Sequence, residues 1–380
     1  MKNVVRHIVT GALMLLVLWG TSCSHDTEAF DISDKEAALS IGLRLPTKSP
    51  KTGEGYEAGE TYENYIDVEN SNYRIYFFTS DNKFIARFEP EGFVVTEGSD
   101  YRDYSVLGKA PAVLANHKNF KMVVLANWPQ YGDDAMKVGE TLLADICDAG
   151  WGQFDRFSSF ELGPEQLIPF YDVHEYNNIE LKPGEATLLP EPVTLLRAVA
   201  KAEVILRTDD HFDLSFSEVK IRRYNNKGYC APKDVFSQDD YDHGGEWNSD
   251  YVSDLHLVEN SNDAEEKIQD FRFASQWIGA DGNKYEKWIA YLPEYQNIGT
   301  GDKYSCIEVK LDAQTGEDEP HRVYFANYDE NGKTDNNDNA KRFDINRNNL
   351  YRFTITVRDN RLTVNVQEWK YAYDNEYTFD

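Results

Sequence analysis

Cysteine is scarce in this chain, with four among 380 residues. Setting Cys23 aside, Cys147, Cys230 and Cys306 are far apart and no C-x-x-C pair occurs, so the spacing signals neither a zinc site nor a thioredoxin-like site. One disulfide among these three and buried free thiols both stay open as readings. Positive charge is short as well: 39 Lys and Arg stand against 66 Asp and Glu, a formal net charge of −27. With no basic stripe to offset repulsion from phosphate, nucleic acid is excluded as a partner. H-E-x-x-H, G-x-S-x-G, a Walker loop and G-x-G-x-x-G are all missing. The eight His are dispersed, and carboxylates are so abundant that a glycosidase-like pair singles out nothing. The acidic run 329–339 departs from EF-hand order and reads as a solvated hairpin loop. No catalytic residue, metal ligand or cofactor is assigned, and an enzyme is not expected.

Long apolar runs are also lacking, apart from "GALMLLVLWG" at 11–20. Lys2 and Arg6 precede it and Thr21, Ser22 and Cys23 follow, the three zones of an export signal. The run is too short for a comfortable membrane span. Cys23 after small residues resembles a bacterial lipobox, although Gly20 stands where Leu is usual. The expectation is a signal peptide over 1–22 and an acylated Cys23 that anchors the chain to the outer membrane. An ordinary cleaved signal with an incidental Cys23 is the alternative. Asp26 and Glu28 look like the acidic surface-export tag of some Bacteroidales lipoproteins.

Helical signal is confined to "VGETLLADICDAG", 138–150, which places Leu142, Leu143, Ile146 and Cys147 on one face and ends in Gly150. Strand signal dominates from residue 70. "NYRIYFFTSDNKFIARFEP" reads as a hairpin turning at Ser80–Asn82, and "FKMVVLANW" as a strand buried on both faces. Many short strands divided by turn clusters argue for a mainly β chain of two antiparallel β-sandwich domains in tandem with few short helices. The Pro-rich, aperiodic stretch "LKPGEATLLPEPV", 181–193, suggests the junction between an N-terminal domain over 53–192 and a C-terminal domain over 193–380. Trp247 and Tyr251 could offer a sugar two stacking faces; a buried Trp beside a loop is the plainer account.

"FKMVVLANW" at 120–128, "LLRAVAKAEVIL" at 195–206, "AYLPEY" at 290–295, "RNNLYRFTITV" at 347–357 and "LTVNVQEW" at 362–369 together resemble the fimbrillins, the type V pilins of Bacteroidales. The resemblance implies two transthyretin-like sandwiches, export as a lipoprotein, and maturation by an extracellular Arg- or Lys-specific protease. It also implies assembly with other copies or homologous fimbrial subunits by strand exchange, in a fimbrium at the cell surface.

The segment "ALSIGLRLPTKSP" has the form such a removable strand requires. Leu39, Ile41, Leu43 and Leu45 alternate with Ser40, Gly42 and Arg44, so one face is apolar. Burying the four apolar side chains is worth roughly 6–12 kcal/mol before entropy is subtracted. Residues 23–52 thus read as a lipidated propeptide with a β-strand and a flexible linker. Cleavage is expected between Arg44 and Leu45, because Arg44 projects outward. Lys48 and Lys51 are fallback sites, and a cut at Lys35 leaves the strand attached. Retention of the strand in a lipid-anchored surface binder of glycan or protein is the alternative. For the donor strand, 361–380 is the candidate, continuing from Leu362, Val364 and Val366 into Trp369, Tyr371, Tyr373, Tyr377 and Phe379. An intramolecular edge strand is the competing reading.

Overall fold

A computed structural model describes residues 36–46, 61–68, 73–98, 101–128, 136–143, 145, 162–163, 165–208, 214–224, 258–259, 268–297, 304–312, 320–326, 344–358 and 361–369, the last of these as backbone only. They form a mainly β fold of mostly antiparallel sheets with sandwich packing, its strands numbered β1–β21 in chain order.

Two five-stranded sheets enclose the first core. One runs β4 (Pro90–Glu97), β5 (Tyr101–Lys109), β1 (Ala38–Pro46), β8 (Ala186–Leu188), with β9 (Val193–Thr194) also paired to β1. The other runs β10 (Leu196–Arg197), β7 (Phe170–Tyr176), β6 (Phe120–Ala126), β2 (Tyr73–Phe78), β3 (Phe84–Phe88). The β2–β3 hairpin forms where its alternation predicts, and Asn82 takes the left-handed conformation its turn needs (φ 64°). In β6, every residue but Lys121 is buried, as its nearly continuous apolar run demands.

The second core lies between a five-stranded and a four-stranded sheet. The first is ordered β15 (Arg272–Ile278), β16 (Lys284–Pro293), β11 (Val199–Thr208), β20 (Leu350–Arg358), β21 (Arg361–Trp369). The other is ordered β14 (Ile268–Asp270), β12 (Phe216–Arg222), β18 (Cys306–Leu311), β19 (His321–Tyr324). A short pair, β13 (Val258–Glu259) with β17 (Tyr295–Gln296), adjoins them. The chain passes from one core to the other just after a bend at Ala198: Val199 packs in the first core and Ala200 in the second.

One expectation is corrected at its start. The helix does not begin at Val138: residues 138–140 form a turn with Gly139 in the left-handed region (φ 75°), and Leu142 bridges Lys83. Gly139 N–H donates to Phe84 O and Phe84 N–H to Thr141 O, both at 2.9 Å. Pairing against the exposed edge of β3 delays the helix to Leu143, which with Asp145 is helical, and leaves Leu142 exposed and Leu143 buried. Ile146, Cys147 and Gly150 lie outside the described residues. The stretch 181–193 supplies β8, the buried Leu189 and the start of β9. It shows no period because it meets β1 in two short pieces, interrupted by Pro190 and Pro192, which have no N–H to give. Cys306 is a buried free thiol, pushed up to about 11 by burial; Cys147 and Cys230 lie outside the described residues.

Candidate functional site

β1 is an interior strand of its sheet. Along one edge all nine of its residues pair antiparallel with β5, from Ala38 opposite Lys109 to Pro46 opposite Tyr101. Along the other edge it meets β8 and then β9 in parallel. Outside these ladders, Ala38 N–H donates to Glu185 O (3.0 Å), Ser40 O accepts from Leu189 N–H (3.0 Å) and Arg44 O from Leu195 N–H (2.8 Å). Leu39, Ile41, Leu43 and Leu45 point into the first core and are at most 1% exposed.

The outer face of β1 is shaped with equal definition. At Gly42 an added Cβ would stand 3.1 Å from Pro192 Cβ and 3.3 Å from Pro192 Cα, closer than ordinary van der Waals contact. Arg44 lies opposite Asp103 in the ladder and grips it with two hydrogen bonds, Nε to Oδ1 and NH2 to Oδ2, each 2.8 Å. Its guanidinium also sits 4.3 Å from the centre of the Tyr101 ring. Arg44 does face outward, but it is not freely offered to a protease. Its carbonyl is bonded, Leu45 is buried, and its side chain is clamped, so a cut after Arg44 requires the end of β1 to lift from the sheet.

The other expected site residues fall elsewhere or outside the described chain. Trp369 ends β21, opposite Leu350, and β21 pairs along its length with β20. Among the described residues β21 has no second neighbour, so it is an edge strand. Cys23, Lys35, Lys48, Lys51, Trp247, Tyr251, Tyr371, Tyr373, Tyr377 and Phe379 lie outside the described residues, as does the acidic loop 329–339. No group of three metal-ligating side chains occurs among the described residues.

A second concentration of polar side chains, not anticipated from sequence, lies where the two cores meet. Lys201 Nζ on β11 stands 2.8 Å from Glu63 Oε1 and 3.1 Å from Glu203 Oε1, and all three residues are almost wholly buried. Arg352 Nε lies 2.9 Å from Glu203 Oε2. Tyr291 O–H donates to Glu63, and its hydroxyl is 3.0 Å from that of Tyr62. Arg197 donates to the Glu63 carbonyl (3.2 Å) and to Asn348 Oδ1 (3.0 Å). Burial opposes the charge on Lys201, but Glu63 and Glu203 outweigh it and hold the amine above its ordinary range. Burial likewise opposes the charge on Glu203, and Lys201, Arg352 and Lys287 outweigh it and hold the carboxylate below its range. Lys201 and Glu203 were visible as lone charges in an apolar run. Glu63 lies in a segment with no strand period, and nothing local points to its burial.

No protein-family model and no curated protein matches the chain. Solved structures do. The tip fimbrial protein Mfa3 from Porphyromonas gingivalis is 13% identical, with 88% of this chain and 99% of that one covered at a TM-score of 0.48. A candidate cell adhesion protein from Bacteroides uniformis is 12% identical, with 90% and 100% covered at 0.43. Another from Bacteroides ovatus is 13% identical, with 88% and 98% covered at 0.44.

Proposed function

We propose that the chain is a structural subunit of a surface fimbria, made as a lipoprotein precursor and polymerised by strand replacement. In this reading residues 1–22 are removed on export and Cys23 carries the lipid that holds the precursor at the outer membrane. An Arg- or Lys-specific protease then trims near Arg44. The N-terminal domain over 53–192 opens its β1 slot to a neighbour's strand, and 361–380, at the end of the domain over 193–380, is offered to the next subunit. The fibre supports adhesion. A single observation carries the reading: β1, at the very start of the described chain, is the interior strand of its sheet and fills an apolar slot with all four of its alternating side chains. Once its covalent tether is cut, such a strand loses the effective concentration, of order mM, that keeps it seated.

One observation favours a second reading. The bonded carbonyl and clamped side chain of Arg44 suit a β1 that is never removed, as in an anchored surface lipoprotein that binds glycan or protein without polymerising. N-terminal sequencing of the cell-surface form, beside an Arg44→Ala variant, separates the two. A start at Leu45, or just past Lys48 or Lys51, with detergent-stable oligomers supports the fibre. Assembled filaments whose subunits still begin at Cys23 would sink it.

A further inference from the structure

We propose that the strand replacing β1 carries no side chain where it faces Pro192 and a cation where it faces Asp103, and that it is therefore not the 361–380 segment of another copy of this chain. The inference rests on the strand-replacement reading and adds the identity code of the partner.

The polarity of the incoming strand follows from the walls of the slot. Only a strand running in the direction of β1 keeps both the antiparallel ladder with β5 and the parallel bonds with β8 and β9. In that direction its inward positions are those of Leu39, Ile41, Leu43 and Leu45, and its outward positions those of Ser40, Gly42 and Arg44. Pro192, itself exposed, is braced on both sides where it faces the Gly42 position. The Glu191 carbonyl just before it accepts from Tyr176 O–H (2.8 Å), and Val193 just after it is buried and pairs with Leu43. A Cβ there stands closer to Pro192 than ordinary contact, so the ring must give by a few tenths of an ångström to admit any other residue. At the Arg44 position Asp103 and the face of Tyr101 together receive a planar cation. An acidic residue placed there meets a carboxylate directly across the ladder, which is destabilising.

The chain's own tail fails this test in every register. Residues 361–380 contain no Gly. Setting Trp369, Tyr371 and Tyr373 in the places of Leu39, Ile41 and Leu43 puts Ala372 against Pro192, Asp374 against Asp103 and Asn375 in the apolar place of Leu45. Setting Leu362, Val364 and Val366 there puts Asn365 against Pro192 and buries Glu368 in the place of Leu45. Lys370 reaches the Arg44 position only with Asn365 and Gln367 turned inward. The donor instead has the form apolar-x-apolar-Gly-apolar-(Arg or Lys)-apolar, and selection against 361–380 is built from the clash and the like charge together.

The test uses the full chain with a specific protease site inserted after Pro50, cut once folded, so that the β1 fragment stays seated. Labelled peptides spanning 36–46, the same with Gly42→Val, the same with Arg44→Glu, and residues 361–380 are offered in excess, and displacement of the fragment is read by fluorescence polarisation. The 36–46 peptide is expected to exchange in, and the other three to seat at least about tenfold less well. An Asp103→Arg chain should invert the preference between the native and Arg44→Glu peptides. Equal seating of all four peptides, or seating of 361–380 as well as 36–46, overturns the inference alone. Failure of even the 36–46 peptide to enter overturns the strand-replacement reading and the inference with it.

Discussion

β1 and the seam between the two cores are both buried and both join parts of the chain far apart in sequence, yet they are held by opposite physics. The inner face of β1 is wholly apolar, its edges are backbone ladders, and its one charged residue is met at the surface by Asp103. Apolar contacts and generic backbone bonds impose little chemical identity, so another strand of matching pattern can take them over. Across the seam Glu63 meets Lys201, which Glu203 also faces, and Glu203 is met in turn by Arg352. Separating them strands buried ions away from water, so the seam suits a joint that stays closed while β1 is exchanged.

Removing one partner from the seam should have the largest effect. Glu63→Ala leaves Lys201 short of a counter-charge and should lower unfolding free energy by about 3–5 kcal/mol, read by urea denaturation. Next comes the apolar plug: Leu43→Ala should cost about 2–5 kcal/mol and speed loss of the β1 fragment once the following linker is cut. If Leu43→Ala leaves that loss unchanged, the slot is not what retains β1. On the outer face, Gly42→Val should cost about 1–3 kcal/mol by overpacking against Pro192. The smallest effect is expected of Asp103→Ala, about 1 kcal/mol, since the pair it breaks is partly solvated.

The two regions also separate by pH. The Glu203 carboxylate is held below its unfolded range, so its contribution is present above that range and is lost as pH falls through the lowered value. The Lys201 amine is held above its unfolded range, so its contribution is present below that range and is lost as pH rises through the raised value. The seam should therefore be at full strength around neutrality and weaken at both extremes, with Glu203→Gln removing much of the acid limb of a midpoint-against-pH curve. Retention of β1 by its apolar face should change far less. A cut β1 fragment that leaves in step with the acid limb would contradict the division drawn between the two regions.

Patterns of period two were enough to read much of this protein from sequence. Residues 38–46, the hairpin of β2 and β3 and the buried β6 all form where alternation or apolar runs place them, because side-chain direction in a strand is a local property. Local patterns failed where the chain answers to a distant neighbour. The start of the helical period at 138–150 yields to pairing with the edge of β3, the proline-broken 181–193 becomes the second wall of the β1 slot, and Arg44 is outward yet clamped. Glu63, Lys201 and Glu203 converge only because two sheets meet, and the cost of burying an ion depends on what surrounds it in space. Sequence alone thus determined which residues could face an apolar slot. Tertiary structure decided what bounds that slot, since the walls at Asp103 and Pro192 come from remote segments and only folding brings them to β1.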